Sequence, residues 1–327
     1  MHEPISVLFC SNRTYCEPMA TAITSLLKSN PCHWFRIFIM LSEPAEKERR
    51  YLTATVHRFS NAEFTFIDFK CDAIRYFPTS DHIPIEAYFR YFLDQFLPSD
   101  VEKVLYLDCD LIVRSDIEEL WRTPLEGHVL AAVPDQFSDN LQAIGFREDE
   151  PYFNSGVLLF NVCRWREVNQ TKHLLAYIDA NGSVLRYHDQ DAINVVLRGE
   201  IVPLHPTWNF TPRHAESGPG ILGLSMGAFI RLRNDPTIIH FTGIKPWRPN
   251  CEPHYKEHYL HYRSLTPWGS DEGVLPTQTS TPVPRSRAQV LTQKFKWQFP
   301  RVTMLLRRLS GAGDPMIRKS IMRGGAA

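Results

Sequence analysis

The sequence predicts an α/β fold: a mostly parallel sheet with helices on both faces. Two observations carry this expectation. Short apolar runs alternate with helix-patterned segments through the first half of the chain. The runs are continuously apolar, as strands buried on both faces are, rather than alternating.

The elements follow in order. ISVLFC (5–10) reads as a buried strand, and EPMATAITSLLKSN (17–30) has helical spacing with Pro18 near its start. WFRIFIM (34–40) is a second strand and AEKERRYLTATVHRFS (45–60) a second helix. EFTFIDF (63–69) is a third strand, EAYFRYFLDQFL (86–97) a helix and KVLYLD (103–108) a fourth strand. The pattern then loosens. VLAAV, GVLLFNV and TIIHF read as strands, KHLLAYIDAN and DQDAINVVLRG as helices. A catalytic domain over 1–264 is expected. It is followed by a Pro/Ser/Thr-rich linker over 265–287 and a basic tail over 288–327.

The 327 residues carry 36 Lys+Arg against 36 Asp+Glu, so overall charge points to no polyanionic partner, and no nucleic-acid motif appears. Seven cysteines with no C-x-x-C pair argue against a disulfide framework or zinc knuckle, and a reducing cytosol is the expected compartment. The opening MHEPISVLFCSN has neither a basic start nor a long apolar stretch, so it does not read as a signal peptide or membrane anchor.

Chemistry concentrates in four places. In VLYLDCDLIV (104–113), Asp108 and Asp110 stand one residue apart where a strand ends. Ligands of open α/β sheets bind beyond the carboxyl ends of the strands. Two carboxylates there can converge on one hard cation, Mg²⁺ or Mn²⁺. An aspartyl nucleophile beside an acid/base Asp, as in phosphatases, is the alternative. Two solvated acids at a turn is the plain one. In IIHFTGIKPW (238–247), His240 ends a strand and can complete a metal site, while Gly243 and Lys245 can hold a diphosphate. In YHDQDAINVVL (187–197), Asp189, Gln190 and Asp191 open a helix, either as first-turn charges or as groups facing a sugar. In PYFNSGVLLFN (151–161), Asn154 precedes the small turn Ser155-Gly156 and an apolar strand.

Taken in order with AYFRYFL (87–93), which looks like a Y-x-R helix, these motifs resemble glycosyltransferase family 8 over roughly residues 5–262. This family of retaining enzymes includes bacterial lipopolysaccharide galactosyl- and glucosyltransferases and the glycogenins. The resemblance implies a GT-A fold, with a Rossmann-like nucleotide-binding sheet, a UDP-sugar donor and Mn²⁺ or Mg²⁺. It implies that Asp108, Asp110 and His240 ligate the metal and that Gly243 and Lys245 hold the diphosphate. Arg90, Asp135, Asn154, Asp189 and Gln190 would surround the donor sugar, and Asp191 would stabilise or capture the anomeric carbon. Retention by double displacement and by same-face attack both stay open.

The first strand departs from the family pattern, which commonly has an acidic residue and an Asn before a Tyr that stacks on uracil. Here the stretch is CSNRTYCEP, with Asn12 and Thr14 in those places and Tyr15 kept. Asn12 is still expected to hydrogen-bond the uracil edge, because an amide offers donor and acceptor. The expected acceptor is a saccharide or glycolipid of the cell surface; a protein or soluble acceptor, and a non-catalytic nucleotide-sugar-binding protein, are the rivals. The basic tail, with Phe295, Trp297 and Phe299 among its cations, is expected to touch the inner face of the cytoplasmic membrane; a helix packing on the core through Leu305, Leu306 and Leu309, with its basic face in water, is the alternative.

Overall fold

Strand β1 (Ile5–Ser11) is buried along its whole length. It pairs in parallel with β2 (Phe35–Leu41) and β4 (Lys103–Leu107). The computed structural model describes residues 3–269 apart from 43–45, 71, 81–83, 148 and 249–252. The expected tail over 288–327 and the expected linker beyond residue 269 lie outside the described residues.

Seven strands form the main sheet in the order β3-β2-β1-β4-β7-β6-β8. The others are β3 (Ala62–Asp68), β6 (Leu130–Pro134), β7 (Phe153–Asn161) and β8 (Ile201–Pro203). The β3-β2-β1-β4 half is parallel, as the apolar runs predict, and so is the β6–β8 pair. β7 runs antiparallel to both β4 and β6. A continuously apolar segment reads the same in either direction, so the sequence carries no signal for that reversal. A two-stranded ribbon pairs β5 (Leu111–Val113) with β9 (Ile238–His240).

Successive strand residues point to opposite faces, and each face has its own apolar layer. Leu8, Phe38, Tyr106, Leu158 and Phe160 lie in one. Val7, Phe9, Ile37, Ile39, Leu105, Leu107 and Leu159 lie in the other. Each large side chain so buried stabilises the fold by about 1.5–3 kcal/mol before entropy is counted.

Helices α1 (Cys16–Ser29) and α2 (Glu46–Val56) contribute to the second layer. The segment expected as one helix over 86–97 is wound differently. A 3₁₀ stretch, Ile85–Phe92, runs into the short helix α3 (Leu93–Phe96). Tyr88, Phe89, Tyr91 and Phe92 are all buried, so this segment is apolar on every side except where Glu86 and Arg90 enter the polar groups described below. A short α4 (Glu118–Trp121) follows β5. Helices α5 (Val162–Glu167), α6 (Gln170–Asn181) and α7 (His188–Val196) supply Trp165, Leu174, Ile178 and Ile193 to the first layer. Residues Arg213–Asp235 belong to a second unit that carries most of α8 (Pro212–Ser217) and all of α9 (Met226–Asn234). In α10 (Pro253–Ser264), Arg263 reaches Glu17 of α1. A 3₁₀ turn, Pro267–Gly269, then sets Trp268 edge-on to Tyr51 of α2, with ring centroids 4.9 Å apart. Among the described residues, no helix is long and apolar enough to cross a membrane.

Candidate active site

Chain direction explains how the acidic pair meets its histidine. β4 ends at Leu107, and the backbone N–H of Asp108 donates to Gly156 O of β7 at 2.8 Å. Two residues on, β5 pairs with β9 so that Leu111 faces His240, and Phe241 N donates to Asp110 O at 2.9 Å. The β5–β9 ribbon therefore carries His240 back over the end of β4. Its Nε2 lies 3.5 Å from Asp108 Oδ2 and 3.3 Å from Asp110 Oδ1. One donor atom from each of the three residues falls within 4.8 Å of the others.

The neighbours fix the tautomer of His240. Asn209 Nδ2 donates to Asn154 Oδ1 at 2.7 Å, which turns the Asn209 Oδ1 towards His240 Nδ1, 2.9 Å away. An amide oxygen only accepts, so Nδ1 is protonated, and in the neutral imidazole it is the Nε2 lone pair that faces the two carboxylates. Three lone-pair donors aimed at one another repel unless a proton or a metal cation sits between them. A hydrogen-bond acceptor on the far nitrogen is the usual arrangement for a metal-bound imidazole. The set thus fits a divalent cation with oxygen and nitrogen ligands. Gly156 makes the room. A Cβ there would come within 2.1 Å of His240 Cε1 and 2.8 Å of Asp108 Oδ2.

Lys245 closes the other side. Its Nζ pairs with Asp110 Oδ2 and donates to Phe241 O at 3.2 Å. Burial alone would raise the Asp110 carboxyl, but the charges facing it, Lys245 foremost, outweigh burial and hold it well below the usual carboxylate range. Burial alone would likewise lower the Lys245 ammonium, and Asp110 holds it above its ordinary value. Gly243 turns the chain between His240 and Lys245 with φ +76°, a conformation that favours glycine. Tyr15 packs edge-on to Trp247, two residues beyond Lys245, with ring centroids 5.8 Å apart.

Arg90 links the acidic pair to α7. Its Nη2 lies 3.2 Å from Asp108 Oδ1 and 3.7 Å from Asp189 Oδ2, and its Nη1 donates to Ser155 O. The guanidinium also lies over the Tyr106 ring, 4.0 Å from the centroid. Tyr106 Oη donates to Asp108 Oδ1 at 2.6 Å, and Ser155 Oγ to Asp189 Oδ2 at 3.2 Å. Burial pushes the Asp189 carboxyl up to about 6, with Arg90 opposing and Asp108 adding to the rise.

Gln190 is held by its whole amide. Its Oε1 accepts from Asn154 Nδ2 at 3.1 Å and Ser155 N at 3.0 Å, while its Nε2 donates to Asp135 Oδ2 and Tyr152 Oη, each at 3.2 Å. A hydrogen-bonded path therefore runs from Gln190 through Asn154 and Asn209 to His240. Asn194 anchors the helix behind it, exchanging hydrogen bonds of 2.7 and 2.8 Å with the backbone of Phe153.

The structure thus brings Asp108, Asp110, His240, Lys245, Arg90, Asp189, Gln190, Asn154 and Asp135 into one connected polar group. Asp191 stands apart from its open side. It is fully buried, its Oδ2 accepts from Asn140 Nδ2, Arg186 N and Tyr187 N, and its Oδ1 accepts from Tyr152 Oη. Successive residues of a helix turn by about 100°, so Asp189 and Asp191 point to opposite sides. Asn12 lies beyond the end of β1 and hydrogen-bonds Glu86 Oε2 at 3.1 Å rather than Asp108, Asp110 or His240. Asn209, Tyr106, Tyr152 and Glu86 are site or supporting residues that the motifs did not reveal. Tyr106 and Tyr152 lie inside two of the motifs, but as common residue types in apolar surroundings they carry no signal of their own.

The strand ends thus gather two carboxylates, a histidine, a lysine and a polar cluster, where ligands of open α/β sheets bind. The model of glycosyl transferase family 8 matches residues 6–251, and the chain belongs to that family. It is 26% identical over 277 residues to General stress protein A of Bacillus subtilis, covering 82% of this chain and 96% of that one. It is 25% identical over 277 residues to the lipopolysaccharide 1,2-glucosyltransferase of Escherichia coli, covering 82% and 80%. The solved structure of the galactosyltransferase LgtC in complex with donor and acceptor sugar analogs superposes with a TM-score of 0.69 at 26% identity, covering 80% of this chain and 96% of that one. The fold is thus the GT-A fold. Some other curated relatives are longer, with 61% to 64% of their length matched.

Proposed function

We propose that this glycosyltransferase moves a hexose, galactose or glucose, from a UDP-sugar to a saccharide acceptor of the cell surface, with retention of configuration. In this reading Asp108, Asp110 and His240 hold Mn²⁺ or Mg²⁺. The observation that carries it is His240 Nε2 aimed between two carboxylates, with Nδ1 committed to Asn209. The bound cation supplies charge neutralisation for the departing diphosphate. Lys245 adds a second positive charge at the same end, and the turn at Gly243 places its backbone beside it. Arg90 keeps Asp108 and Asp189 in one geometry, so the metal end and the sugar end are fixed relative to each other.

The sugar develops positive charge as UDP leaves. Asp189 supplies negative potential for it, while Gln190, whose amide oxygen already accepts from Asn154 and Ser155 and whose amide nitrogen donates to Asp135, holds those side chains in place. Asp191 has no spare oxygen, so its part is to anchor the start of α7. That favours same-face attack over capture of the sugar by Asp191. The names of the Escherichia coli glucosyltransferase and of LgtC, solved with donor and acceptor sugar analogs, support a hexose and a saccharide acceptor.

The test is UDP release from a panel of UDP-sugars in Mn²⁺ and in EDTA. Slow hydrolysis of one donor in Mn²⁺ only is expected. No turnover of any donor, together with no metal-dependent UDP binding, would overturn the reading.

A pH effect follows from Asp189. With its carboxyl raised to about 6, turnover that needs the carboxylate falls as pH drops through that value. Stability runs the other way. The folded chain keeps a proton that the unfolded chain has already lost, so stability declines as pH rises from the ordinary carboxylate range towards 6. In Asp189→Asn the acid limb of the pH–rate profile and this stability slope both disappear; a limb that persists in the variant assigns the titration elsewhere.

A further inference from the structure

We propose that Glu86 selects the base of the nucleotide donor, accepting the imide N–H of uracil alongside the amide of Asn12. The proposal rests on the nucleotide-sugar reading above and adds a specificity-determining residue to it.

Ser11 and Leu41 end two adjacent parallel strands in register with each other. The residues just beyond them, Asn12 and Ser42, both turn to Glu86. Asn12 Nδ2 donates to Glu86 Oε2 at 3.1 Å, and Ser42 Oγ donates to Oε1 at 2.7 Å. Glu86 is only 9% exposed, and both of these partners are neutral. A glutamate is rarely buried so deeply without a cation. The two donors occupy about half of the roughly four acceptor sites of a carboxylate.

The orientation of Asn12 is fixed independently. Its Oδ1 accepts from Thr14 N at 3.0 Å and from Thr14 Oγ1 at 2.7 Å. The amide nitrogen must therefore point to Glu86, and it has a second N–H. An N–H donor beside a carboxylate acceptor complements the uracil edge, where a carbonyl oxygen stands next to the N3–H. Cytosine reverses both positions: its amino group would meet the Asn12 N–H, and its bare N3 would meet the carboxylate. Both contacts repel. The family pattern commonly has an acidic residue where this chain has Asn12. Glu86 supplies a carboxylate to that neighbourhood from a different segment. Tyr15 lies three residues beyond Asn12. On the segment of Glu86, four residues further on, Arg90 holds Asp108, so a single 3₁₀ stretch spans from the base end to the metal end.

The test is calorimetric binding of UDP and of CDP to the full chain in Mn²⁺, for wild type, Glu86→Gln and the double variant Asn12→Asp/Glu86→Gln. Wild type is expected to prefer UDP. Glu86→Gln lowers the UDP:CDP preference by roughly tenfold or more, chiefly through weaker UDP binding, because a charge-assisted hydrogen bond is lost. The double variant exchanges carboxylate and amide across the same pair and restores the preference for UDP. If Glu86→Gln weakens both nucleotides equally, or leaves the ratio unchanged, while wild type still binds UDP with Mn²⁺, Glu86 is structural and the proposal falls, but the transferase reading stands. If wild type binds neither nucleotide in Mn²⁺, both fall. A double variant with no UDP preference also overturns the pairing of Glu86 with Asn12.

Discussion

Asp110→Asn abolishes metal-dependent turnover and leaves the fold in place. The substitution keeps the shape of the side chain and an oxygen for Lys245, so the ribbon of β5 and β9 still closes. It removes one charge from a set of two carboxylates and an imidazole whose donor atoms lie within 4.8 Å. The proposed cation would lose a ligand and half of its negative field, and Lys245 would lose the charge that raises its ammonium above its ordinary value. Removing one preorganised electrostatic contact at a reacting centre typically costs 10²–10³ in rate. Here the ligand and its charge go together, so a loss of roughly 10³-fold or more in kcat is expected. Circular dichroism and thermal melting should stay close to wild type. Turnover within tenfold of wild type, at saturating Mn²⁺, would remove Asp110 from the metal site.

Gly156→Ala damages the same centre without touching a ligand. The added methyl would stand 2.1 Å from the His240 ring and 2.8 Å from Asp108 Oδ2, well inside van der Waals contact. Neither neighbour can yield easily: His240 is pinned by Asn209, and Asp108 is held by Arg90 and Tyr106. Overpacking of this kind costs about 1–3 kcal/mol of stability. The larger effect is on the cation, whose ligands are forced apart. Mn²⁺ affinity should fall by at least tenfold and activity with it, partly recovered at high Mn²⁺. An alanine variant with unchanged Mn²⁺ affinity would show that His240 and Asp108 do not converge as described.

The legible parts of the site were those whose chemistry is local. Asp108 and Asp110 stand together at the end of one apolar run, and His240, Gly243 and Lys245 share ten residues, so residue type and spacing revealed both. Asn209 and Glu86 left no such trace. Asn209 matters because β7 and β9 bring Asn154 and His240 to either side of it, and Glu86 because β1 and β2 end together. Those relations belong to the sheet order, not to any window of sequence. Asp191 shows the converse. In sequence it looks equivalent to Asp189, two residues earlier, yet the turn of α7 sends it into the interior to accept from the backbone of Arg186 and Tyr187. The helix expected over 86–97 rests on apolar spacing alone. A 3₁₀ stretch fills the same core with the same aromatics and differs only in winding, to which that spacing is nearly blind.

The most direct test of the central claim is a titration of Mn²⁺ and UDP into wild type and His240→Ala, followed by electron paramagnetic resonance. One Mn²⁺ per chain is expected to bind tightly in the presence of UDP, and the variant should lose it while remaining folded. UDP that binds wild type equally well in EDTA, or Mn²⁺ that binds the variant as it does wild type, would contradict a cation held between Asp108, Asp110 and His240.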